Sequence, residues 1–182
     1  LRTVTGVQTC ALPICQRQDF IVGKFDPFQV TIPYCAIASA FAELVKQRLT
    51  EPEPQVELWR SKLLKAFGSN GQVLTTIIPD MELILGPQAP VPDIGGPEGQ
   101  NRFLLVFRQF VEACCQADRP LVLVLEDGQW ADSDTLHLLE YLLADPIPYF
   151  LPLILVLDRE VSPHHPLPLS LERLTDQNVH IQ

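Results

Sequence analysis

A basic stretch is what this 182-residue chain most plainly lacks: its 13 lysines and arginines are scattered among 22 acidic residues, for a net charge of −9. Without a dense cationic run there is no electrostatic footprint for a nucleic-acid backbone, and no nucleic-acid partner is expected. Long apolar runs are missing too. The longest, Ile147 to Leu157, is broken by Pro148 and Pro152 and falls short of the roughly 18 residues a membrane helix needs, so no membrane partner is expected. None of the five cysteines forms a Cys-x-x-Cys pair, which removes zinc-ribbon spacing. Adjacent Cys114 and Cys115 cannot easily pair with each other and read as reduced, partly buried thiols of a cytoplasmic protein. The phosphate-cradling pattern Gly-x-x-x-x-Gly-Lys-Ser/Thr is absent as well. Gly23-Lys24 comes nearest, but Gln18 replaces the first glycine and Phe25 the hydroxyl, so the pair reads as ordinary strand residues.

What is present describes one soluble globular domain, with hydrophobic residues at 47% and charged residues at 19%. The most informative stretch is Pro120–Leu143. Five consecutive apolar residues, Leu121 to Leu125, are too few for a helix and too continuous for a strand with one wet face. They suit a strand buried on both faces of a helix-covered parallel sheet. Glu126 and Asp127 follow at its C-terminal end, the edge where ligands bind in open α/β sheets. Asp132 and Ser133 can cap a helix carrying Leu136, Leu139 and Leu143. An apolar strand ending in paired acids has the form of a Walker B element; a buried strand simply reaching water would look the same.

Leu125-Glu-Asp-Gly-Gln-Trp-Ala-Asp132 resembles the Walker B block of the signal-transduction ATPases with numerous domains. These are AAA+-related P-loop ATPases of bacterial transcription regulators and multidomain signalling kinases. Gly128 stands where such relatives carry an apolar residue, and Glu126 where many carry Asp. Gly23-Lys-Phe-Asp-Pro-Phe28 with Ile32-Pro-Tyr34 is similar to the strand that follows the P-loop helix in the same family. The resemblance covers about Asp19 to the end. It implies an α/β, AAA+-like parallel sheet flanked by helices, here lacking the first strand, P-loop and first helix.

Along the chain, Val4–Ile14 resembles the translation of a short-read sequencing adapter, and no initiator Met is present. Residues 1–15 are therefore expected to be non-native, with a partial ATPase domain over 16–182. A strand is expected over Asp19–Phe25 and helices over about Cys35–Leu49, Gln55–Phe67 and Pro97–Gln116. Short helices should fill the run after Gly71, and Pro87–Gly99 should form an exposed loop. A second apolar strand, Phe150–Leu157, precedes Asp158-Arg159, followed by a helix over Leu167–Leu174 and a strand from Asn178. Trp59 reads as a packing anchor, and His164-His165 as surface residues.

For function, the resemblance implies an ATP-binding and ATP-hydrolysing switch within a larger signalling protein. ATP and Mg²⁺ would be its cofactors, and neighbouring kinase or sensor domains of the same chain its partners. Asp127 would direct water, Glu126 would stand on the Mg²⁺ side, and Arg159 would sense the nucleotide. The alternative is a non-hydrolysing interaction scaffold that keeps the fold.

Overall fold

The computed structural model describes residues 19–92, 95–115, 119–144, 153–158, 161–162 and 164–176. Strand β1 (Asp19–Lys24) leads to helices α1 (Cys35–Leu49), α2 (Glu53–Phe67), the short α3 (Gly71–Ile77) and α4 (Glu82–Leu85), and long α5 (Gly96–Cys114). Strand β2 (Leu121–Glu126), helix α6 (Ser133–Ala144), strand β3 (Leu153–Leu155) and helix α7 (Pro166–Asp176) follow. The three strands are all parallel, in the order β1-β2-β3, with Ile21 beside Leu123 and Val124 beside Ile154. The run Leu121–Leu125 is thus the central strand.

The core lies on one face of this sheet. Ile21, Leu121, Leu123 and Leu125 join α1, α2, α5 and α6 in a single cluster of buried side chains. Its centre is aromatic: Phe41 meets Phe107 edge-on at 5.4 Å, and Phe110 at 5.0 Å. Burying each such ring contributes about 1.5–3 kcal/mol, so these contacts lock α1 onto α5. Trp59 is buried as expected, beneath the Arg48 guanidinium at 5.6 Å.

The opposite face differs from the two-sided burial expected for this strand. There Phe20 is 48%, Val22 42% and Ile154 47% exposed, while Val124 between them is covered. The reason is topological. Both crossovers, β1 to β2 and β2 to β3, run in the same direction across the sheet. Right-handed connections then set every linking helix on one side. A cover for the second face requires a connection running the other way. The expected strand residues at 150–152, the strand from Asn178 and the sensor Arg159 lie outside the described residues.

At the sheet's N-terminal edge, Arg48 in the last turn of α1 bonds Asp19 at the start of β1 and donates to Glu51, just past the end of α1, at 3.0 Å. Arg119 donates to the other Asp19 oxygen at 2.8 Å and to Glu51 at 2.5 Å. Burial would raise the Glu51 carboxyl, but hydrogen bonds from Arg119 and Arg48 outweigh it and hold the group below its ordinary 4.5. A depressed folded value means stability that is present above pH 4.5 and lost as pH falls through the folded value. Glu51→Gln should therefore lower the urea midpoint near neutrality, with a gap from the parent that closes on acidification below about pH 4. A gap that stays constant through that range would show that the Glu51 charge is not involved.

Candidate functional site

The central strand delivers Glu126 and Asp127 to the sheet's C-terminal edge, where both neighbouring strands pin them. Phe25 donates its N–H to the Glu126 carbonyl at 3.0 Å, and Val156 to that of Leu125 at 2.8 Å. Asp127 then turns into the left-handed region (φ 57°, ψ 39°), one that Asp and Asn tolerate better than most residues. Its carbonyl accepts from Trp130 at 2.9 Å, closing a 3-10 turn over Gly128–Trp130. Gly128, which departs from the apolar residue of the relatives, has a local cause. A Cβ there would stand 2.6 Å from Leu155 Cδ1 and 3.0 Å from Leu157 Cδ2. The exit of β3 packs into the space a larger residue would need.

The two acids diverge. Asp127 lines a cleft of about 600 Å³ that also takes in Lys24, Asp26, Ser39, Gln129 and Asp158. Glu126 alternates with Val122 and Val124 and so belongs to the sheet face that carries Phe20 and Val22. Lys24, beside Glu126 in register, reaches across so that its Nζ stands 3.2 Å from Asp127 Oδ2. The hydrogen bond and charge of Asp127, helped by Glu126 and Asp158, raise the Lys24 ammonium above its ordinary value. Gln129 joins this group, with Nε2 at 3.4 Å from Asp127 Oδ1 and Oε1 accepting from the Asp158 N–H at 3.3 Å.

A part-buried chain of hydrogen bonds follows the acids in sequence. Asp132 caps α6, accepting from Thr135 N–H at 2.8 Å and from its hydroxyl at 2.6 Å, while Thr135 Oγ1 accepts from Tyr34 N–H at 3.1 Å. The loop after the acids is thereby tied to the start of α1. Burial, with Asp134 and Asp132 nearby, pushes the Tyr34 phenol up to about 12. His165 is bound up locally: its Nδ1 accepts from Leu167 N–H at 3.2 Å, and burial lowers its value. Arg102 donates to the Pro92 carbonyl at 2.7 Å and is not among the cleft's walls.

Lys24 and Thr135 are the site residues that sequence reasoning passed over. Thr135 carries no motif. For Lys24 a signal existed: parallel strands that end together set their terminal charges side by side, and Lys24 and Glu126 are both last in their strands.

Chemically, this is a set of hard oxygen donors beside one exposed cation. Two strand-end carboxylates suit Mg²⁺, which is ordinarily held by one or two carboxylates together with substrate phosphates. Among the described residues no grouping of three or more His, Cys, Asp or Glu forms a self-sufficient metal cage. No described helix is long and apolar enough to cross a membrane.

The chain is 39% identical over 124 residues to the hybrid signal transduction histidine kinase G of Dictyostelium discoideum, a stretch that covers 68% of this chain and 4% of that relative. No solved structure matches. The family model described as the AAA ATPase domain matches residues 5–157, starting inside the segment expected to be adapter-derived. With that match running through most of its length, the chain belongs to the AAA ATPase domain family.

Proposed function

We propose that this chain is part of an ATP-binding and ATP-hydrolysing switch within a longer signal-transduction protein. No Gly-x-x-x-x-Gly-Lys-Ser/Thr pattern occurs in the 182 residues, so the phosphate-binding loop is proposed to belong to that longer protein. The observation that carries the reading is the pair Glu126 and Asp127 at the end of the central parallel strand, one acid on each side of the sheet edge. Asp127, facing the cleft, orients and deprotonates water. Glu126, on the other face, stands on the Mg²⁺ side; the metal, when bound, neutralises phosphate charge. Arg159, next to Asp158, is the proposed nucleotide sensor. Neighbouring signalling domains are proposed as the elements it switches, supported by the kinase relative of which the match spans 4%.

The open sheet face supports a missing strand–loop–helix unit. A strand beyond β3, returning to β1 by a right-handed crossover, would lay its helix over Phe20, Val22 and Ile154. Its loop would open at the same C-terminal edge as the acids. One observation favours the non-hydrolysing scaffold instead: Lys24 Nζ already stands 3.2 Å from Asp127 Oδ2, where a water to be activated would compete with it.

Calorimetric titration of Mg·ATP into this chain tests the reading. Phosphate affinity in such sites comes mainly from backbone N–H groups of a glycine loop and its lysine. The chain alone should therefore give no micromolar binding, while the longer protein should. Micromolar binding by the chain alone would put the phosphate site among residues assigned other roles here.

A further inference from the structure

The loop between β1 and α1 shows apolar side chains to solvent while its backbone and polar side chains bond to one another. Residues 27–33 are all exposed and include no charged residue; Phe28 is 92% exposed, and Val30 and Ile32 are also open. An apolar loop with no task would gain little from order. This one is tied at every turn. Asp26 Oδ1 accepts from Phe28 N–H at 2.8 Å, and the Asp26 carbonyl from Gln29 N–H at 2.9 Å. The Gln29 carbonyl accepts from Ile32 N–H at 2.9 Å, and its side-chain oxygen from the Cys35 thiol at 2.7 Å. The Tyr34–Thr135 bond fastens the far end.

Beside the loop runs a groove of about 340 Å³, lined by the apolar Val30, Pro33, Ala131 and Pro166 together with Asp132, Asp134 and His165, whose imidazole burial shifts toward the neutral form. Asp132 is committed to Thr135, and half-buried Asp134 is the second acid lining the groove.

We propose that this loop and groove form a docking surface for a basic, amphipathic polypeptide segment of a partner. Charge selects the occupant. Nucleic acid and membrane surfaces are anionic and would meet Asp26, Asp134 and a chain of net charge −9. A second copy of this chain carries the same sign. A segment with an apolar face for Phe28 and Val30 and a Lys or Arg for Asp134 satisfies both halves of the surface. Because the loop is ordered beforehand, little entropy is lost on docking, and the exposed aromatic is the natural anchor. The surface goes beyond the switch reading, since it stands whether or not ATP is hydrolysed.

Fluorescence anisotropy with a labelled amphipathic helical peptide of leucine and lysine is the test, with a leucine–glutamate peptide of the same pattern as control. The leucine–lysine peptide should bind, and the control should not. Phe28→Ser and Asp134→Asn should each weaken binding by roughly tenfold or more. Leu58→Ser, which removes another exposed leucine on α2, should leave binding unchanged. Failure of the leucine–lysine peptide to bind would overturn the proposal. So would equal binding by Phe28→Ser, equal loss in Leu58→Ser, or equal binding of the control. Sedimentation showing self-association of the chain that Phe28→Ser abolishes would assign the surface to a second copy and likewise overturn it.

Discussion

Replacing Asp127 by Asn in the longer protein is expected to leave ATP binding within a small factor of the parent and to slow hydrolysis by about 10²–10⁴-fold. The geometry makes this a clean substitution. Asparagine accepts the left-handed conformation at φ 57° as readily as aspartate, so the turn over Gly128–Trp130 should survive. What disappears is a carboxylate able to take a proton from water, and with it the charge partner of Lys24. A phosphate-binding loop elsewhere would still hold the nucleotide, which is why affinity should persist. Hydrolysis unchanged in the variant would move the base to another residue. Joint loss of binding and hydrolysis would instead point to a structural role for the side chain.

Asp19→Ala should cost about 3–5 kcal/mol of folding stability, because it strands the Arg48 guanidinium in the core edge without its main counter-charge. Both groups are almost wholly buried, and Arg119 loses a partner in the same step. Glu51 remains bonded to both arginines, so the lower end of that range is expected. Urea unfolding followed by the fluorescence of the two tryptophans, Trp59 beneath Arg48 and Trp130, measures the loss. Adding Arg48→Met should recover most of it, since removing both charges leaves nothing unpaired. A single-variant loss below about 1 kcal/mol would make the cluster equivalent to exposed ion pairs.

How far the sequence could be read depends on how local each cause is. Helical spacing in Ile37, Phe41, Leu44 and Val45, and in Phe103, Phe107 and Phe110, is a property of short windows, and α1 and α5 lie where that spacing sets them. Strand β2 was legible from five apolar residues followed by acids, and the cap of α6 from Asp132. The Asp19–Arg48–Glu51–Arg119 cluster was not, because its members come from three places along the chain and meet only through the register of β1 on β2. Lys24 was read against one motif, failed it, and was set aside; its contact with Asp127 exists only once the strands end together. One-sided cover of the sheet follows from the direction of successive crossovers, which apolar content cannot encode. Gly128 was a departure from the relatives until the packing of Leu155 and Leu157 gave it a cause.

The central claim is that the two acids at the end of β2 do different work, and the Mg²⁺ dependence of ATP hydrolysis by the longer protein tests it most directly. Glu126→Gln should raise the Mg²⁺ concentration at half-maximal rate, with activity partly restored at high Mg²⁺. Asp127→Asn should depress the rate at every Mg²⁺ concentration without moving that midpoint. Midpoints unchanged in both variants, or shifted equally in both, would contradict the division of roles between Glu126 and Asp127.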